Sequence, residues 1–80
     1  MNEEAARLAT ELCLNIKFLV ADAVSFVRNI EAARAYAVAG DGLNCTISLD
    51  FALRDFDRLE ERIAILKRII EESDYTPKHK

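Results

Sequence analysis

Residues 2–39, NEEAARLATELCLNIKFLVADAVSFVRNIEAARAYAVA, contain neither glycine nor proline and are rich in Ala, Leu, Arg and Glu. These residue types lose little on entering a helix, so the stretch reads as one continuous helix about 57 Å long. Asn2 is placed to cap it, with Glu3 and Glu4 at the positive end of the dipole. Gly40 supplies the stop, because glycine takes the left-handed conformation that closes a helix.

On a 3.6-residue wheel this helix carries one broad apolar arc, from Ala5, Leu8 and Leu12 through Ile16, Leu19, Val20, Ala23, Phe26 and Val27 to Ile30 and Ala33. The arc covers about half the circumference, wider than the roughly 100° stripe that one neighbouring element hides. Glu11, Asn15, Asp22, Ser25 and Asn29 form the opposite, polar side, interrupted by Leu14, Phe18 and Tyr36.

Residues 40–47, GDGLNCTI, read as a loop, with Thr46 or Ser48 as the cap of a second helix over residues 48–73. Within that helix Leu49, Ala52, Phe56, Leu59, Ile63, Leu66 and Ile70 follow three-and-four spacing, the pattern of a bundle seam. The expected fold is therefore all-α: an antiparallel helical hairpin in a single domain over residues 1–74, followed by a flexible tail at 75–80. The second helix would be about 39 Å long, so roughly the first twelve residues of the first helix overhang it. That leaves Leu8 and Leu12 uncovered. Two hairpins pairing into a four-helix bundle would cover them, with Leu8, Leu12, Leu19 and Phe26 as the oligomer interface. A break of the first helix near Ser25–Asn29, giving a three-helix unit, is the competing arrangement. In outline the architecture resembles small helical hairpins such as plasmid RNA-modulating proteins, secretion-needle chaperones and phage-encoded inhibitors, a likeness of fold that does not fix function.

Composition narrows the chemistry. The net charge of -3 across 80 residues does not suit a general nucleic-acid binder. The most apolar stretch, Leu12–Val27, carries Lys17 and Asp22, so no membrane span or membrane partner is expected. The N-terminus is acidic where a secretory signal is basic, and the expected location is cytoplasmic. Cys13 and Cys45 sit too far apart along the hairpin for an intrachain disulfide. The one histidine, His79, lies in the tail, a poor seat for a general base. The carboxylate pairs Asp57/Glu60 and Glu71/Asp74 have the spacing of magnesium motifs, yet both lie on one helix about 20 Å apart. No enzyme, metal or cofactor is expected.

Two surfaces remain as partner-binding candidates. Leu14 and Phe18, four residues apart and framed by Asn15 and Asp22, make a small apolar pair on a polar side. Arg54, Arg58 and Arg62 form a ladder along the second helix, continued by Ile65 and Ile69. The expected function is a non-enzymatic protein-binding module, an inhibitor, chaperone or adaptor that occupies a partner protein. The alternative is a dimeric RNA- or DNA-binding regulator using the Arg54/Arg58/Arg62 face.

Overall fold

The computed structural model describes residues 3–73, and the Asn2 cap, His79 and the tail lie outside that range. The chain is two antiparallel helices, α1 (Glu3–Val38) and α2 (Gly42–Glu71), packed against each other. α1 runs through Ser25–Asn29 without a break, as the absence of any helix-breaking residue there requires. It ends in a Schellman arrangement: Gly40 has φ +76, the Asp41 N–H donates to the Tyr36 carbonyl at 2.8 Å and the Gly40 N–H to Ala37 at 3.1 Å.

The second helix begins six residues earlier than the sequence suggests. Asp41 is its N-cap: the carboxylate accepts the Asn44 backbone N–H at 3.1 Å and the Asn44 side-chain amide at 2.7 Å. Those bonds hold the Asp41 carboxyl below its usual range. With a cap at 41, the Gly-Leu-Asn-Cys-Thr-Ile segment is the first turn and a half of α2, and Thr46 and Ser48 lie inside it. The connection shrinks to residues 39–41.

The helix–helix seam also differs from the one hydrophobic periodicity selects. On α1, Leu12 and Ala33 are buried, and Leu8, Asn15, Leu19, Asp22, Phe26 and Asn29 are half-buried at three-and-four spacing. On α2, Ser48, Ala52, Asp55 and Leu66 are buried, with Cys45, Leu59, Arg62 and Ile69 half-buried. Each helix thus contributes a partly polar row beside an apolar one. Asn15, Asp22, Ser25 and Asn29, expected on the far side of α1, lie at its contact with α2. Leu49, Phe56 and Ile63, expected in the seam, are exposed on its flank.

Leu12, expected to be uncovered by the chain itself, is only 6% exposed, and Leu8 is half-buried. The longer α2 is the reason: it reaches down more of α1, and Leu12 packs within the hairpin rather than waiting for a second chain. Small side chains at Ala33, Ser48 and Ala52 line the loop end of the contact. The molecule measures 57 × 24 × 14 Å, a layer little thicker than one helix with its side chains. Both broad faces of the hairpin are therefore open.

Candidate functional site

Asp55 is the anchor of the seam. It is 1% exposed, and a carboxylate out of contact with water is costly unless its oxygens are satisfied. Its Oδ2 accepts the Ser25 hydroxyl at 2.9 Å and the Asn29 amide at 2.8 Å, both reaching across from α1. Its Oδ1 takes the Arg58 guanidinium, one turn along α2. Burial pushes the carboxyl up, but the Ser25 and Asn29 hydrogen bonds and the Arg58 charge outweigh it, and the net effect is a lowered pKa. Among the described residues no buried side-chain polar atom lacks a partner.

One turn away along α1, Asp22 continues the network. Its Oδ2 accepts the Arg62 Nε–H at 3.2 Å, and Oδ1 lies 3.8 Å from the Arg58 Nε. Arg62 also rests on the Phe18 ring, 5.6 Å from its centroid. Asn15, Arg58, Glu61, Arg62 and Ile65 line an open depression of about 170 Å³ beside this network. These side chains define the polar broad face of the hairpin.

The sequence-selected residues therefore separate into groups. Phe18, Asp22, Arg58 and Arg62 are brought together, but by contacts within the chain. Ile65 borders them, and Ile69 is half-buried further along α2. Leu14, at 51% exposed, makes no contribution to the network. Arg54 stands apart, stacked over Phe51 at 5.4 Å. Of the expected oligomer residues, Leu12 is internal. Leu19 and Phe26 are half-buried, and the Phe26 ring meets that of Phe56 with centroids 6.2 Å apart.

Asp55, Ser25 and Asn29 were missed. The signal was present: Asp22, Ser25 and Asn29 on α1, and Asp55, Arg58 and Arg62 on α2, are both short polar stripes at three-and-four spacing. Antiparallel pairing sets them at one level.

The other broad face is apolar. The Phe26–Phe56 contact fixes which flanks share it. Beside Phe26 on α1 run Ala9, Ile16, Ala23, Ile30 and Ala37, with Cys13, Val20 and Val27 beyond them; beside Leu59 on α2 run Leu49, Phe56, Ile63 and Ile70. Ile16, Val20, Val27, Ile30, Leu49, Phe56 and Ile63 are all exposed.

Chemically, the Asp55 carboxylate is fully engaged and shielded, an arrangement that holds two helices in register rather than one that moves a proton. Among the described residues, no three His, Cys, Asp or Glu side chains converge to hold a metal, and no helix is long and apolar enough to cross a membrane. Cys13 is exposed and Cys45 half-buried, both as free thiols. Comparison with protein-family models, with curated proteins and with solved structures gives no match.

Proposed function

We propose that this chain is a small non-enzymatic protein-binding module, acting as an inhibitor, chaperone or adaptor by occupying a partner protein, and that its hairpins pair into a four-helix bundle. The observation that carries the reading is an inversion of the usual polarity. Four apolar residues are buried, while seventeen large hydrophobic side chains stand exposed among the described residues. Seven of them, Ile16, Val20, Val27, Ile30, Leu49, Phe56 and Ile63, share one broad face, and a contiguous apolar surface of that kind marks a site that another protein covers. The polar face, with Asn15, Arg62 and Ile65 lining the depression and Phe18 against Arg62, offers a second, mixed surface of the kind found at the rim of protein interfaces.

The nucleic-acid alternative draws less support. Arg58 and Arg62 already face Asp22 and Asp55, so among the described residues only Arg54 of the three arginines has no carboxylate opposite it in an ion pair. A phosphate backbone would have to displace carboxylates from the other two.

Capture from a lysate of the native host, with and without nuclease and at low and high salt, separates the readings. The proposal expects a defined protein retained through nuclease and high salt. Recovery of nucleic acid alone, lost steeply as salt rises, would replace it with the alternative.

A further inference from the structure

We infer that the apolar broad face is closed by a second copy of this chain, turned end for end about a twofold axis at the level of Ala23, so that α1 lies on α1 and α2 on α2. The inference rests on the protein-binding reading above and assigns its self-associating face and register.

A twofold contact between identical helices running antiparallel requires that residue i meet residue j while j meets i. Each position on one side of the axis therefore meets, in the other copy, the position equally far on the opposite side, so the row must be apolar on both sides. On α1 the row at seven-residue spacing is Ala9, Ile16, Ala23, Ile30, Ala37, which is the same in either direction about Ala23. The neighbouring row places Val20 and Val27 on either side of the same point. Ile16 of one copy then meets Ile30 of the other, and the smallest side chain sits on the axis, where two copies of one residue must fit together.

The second helix agrees independently. Its outward row, Leu49, Phe56, Ile63 and Ile70, is large and apolar throughout, and its centre falls between Phe56 and Ile63, at residues 59–60. The contacts Phe26–Phe56 and Asp22–Arg62 set Ala23 level with residues 59–61 of α2. One axis therefore serves both rows. It passes within about 5 Å of the midpoint of each helix, so two copies overlap along most of their length.

Ile16, Val20, Val27, Ile30, Leu49, Phe56 and Ile63 are each 40–55% exposed. Together they offer on the order of 600 Å² before the half-buried Leu19, Ala23, Phe26 and Leu59 are added, close to the about 800 Å² each partner gives to a standard interface. One charge marks the register. Glu60, on the rim of the α2 row at the level of the axis, faces its own copy in this arrangement.

The test uses the full chain with Cys13→Ser and Cys45→Ser. Under mild oxidation the Ala23→Cys variant should link into a covalent dimer nearly to completion, because the two thiols meet on the axis. Ala9→Cys alone should not, since its copies are about 40 Å apart, but mixed with Ala37→Cys it should give the heterodimer. Sedimentation of the unmodified chain should show a dimer at micromolar concentration, and Glu60→Gln should tighten it several-fold by removing a like-charge approach. A monomer at millimolar concentration, or efficient linking of Ala9→Cys to itself, would overturn the inference. If the chain is monomeric yet still retains a host protein, this inference and the four-helix bundle fail while the protein-binding part of the reading stands. If it dimerises in this register but retains nothing, the reverse holds.

Discussion

Replacing Asn29 with alanine isolates the element on which the hairpin turns. The Asn29 amide lies 2.8 Å from the Asp55 Oδ2, which also accepts the Ser25 hydroxyl at 2.9 Å. A hydrogen bond to a charged acceptor contributes about 1.5–3 kcal/mol, and each kcal/mol shifts the melting temperature of a domain this small by about 4–8 °C. Asn29→Ala should therefore lower stability by about 1.5–3 kcal/mol at neutral pH, read from urea or thermal melts at fixed protein concentration. The proper control is Thr10→Ala, whose hydroxyl is exposed and bonds only the Ala6 carbonyl of its own helix; it should stay within about 0.5 kcal/mol.

The pH dependence carries the sign. The folded-state pKa of Asp55 is depressed below its reference value of 3.8. Its contribution is therefore complete above the unfolded pKa and is lost as pH falls through the folded one. Removing Asn29 withdraws one of the bonds that depress the pKa, so the variant should lose its acid-sensitive stability at a higher pH than the parent. Asn29→Asp should go further and reverse the slope. Two facing carboxylates destabilise the neutral-pH fold, and protonating one of them restores it. Should Asn29→Ala and Thr10→Ala melt alike, with superimposable acid limbs, Asp55 is solvated and the argument for a polar seam is refuted.

The turn offers a paired test. A Cβ at either glycine meets nothing within 4 Å, and only Gly40 has positive φ, so Gly40→Ala should destabilise by about 1–2 kcal/mol while Gly42→Ala stabilises by about 0.5–1 kcal/mol. Leu66→Ala, at a site only 7% exposed, should cost about 2–5 kcal/mol. Ile63→Ala, 44% exposed in one chain, should have an effect that grows with protein concentration if a second copy covers it. Equal, concentration-independent losses at both sites in equilibrium melts would place Ile63 inside the hairpin instead.

How much of this was legible in the residues depends on scale. The two helices, their antiparallel pairing and the Gly40 stop follow from local rules, because a segment without Gly or Pro has few alternatives. The start of α2 was misread because Gly42, Asn44 and Thr46 are poor helix formers one at a time. The Asp41 cap offsets them by satisfying free N–H groups at the helix start. The seam was misread for a different reason. Periodicity locates the most apolar arc, and on α1 that arc is wide enough to serve two neighbours. Only its Leu8–Leu12–Leu19–Phe26–Ala33 edge packs against α2, while Ile16, Val20, Val27 and Ile30 turn away.

The candidate site shows the same limit. Arg58 and Arg62 stood out as a ladder, but their acids lie on different helices: Asp22 is 36 and 40 residues from the two arginines in sequence, and Asp55 is three from Arg58. Their convergence depends on the register of the hairpin. Once that register is known, a buried carboxylate with two donors from the opposite helix explains why polar residues occupy positions that apolar ones could fill. A mis-registered pairing would leave Asp55 buried and unsatisfied.

An isotope-filtered NOE experiment on a mixture of labelled and unlabelled chains tests this arrangement most directly, because it separates contacts within a chain from those between chains. The Asn29 side-chain amide should show intrachain contacts to Asp55, and the Ile16, Val20, Val27 and Ile30 side chains should show interchain contacts to α1 of the unlabelled copy. Intrachain contacts from Val27 and Ile30 to α2, with the Asn29 amide facing water, would contradict it.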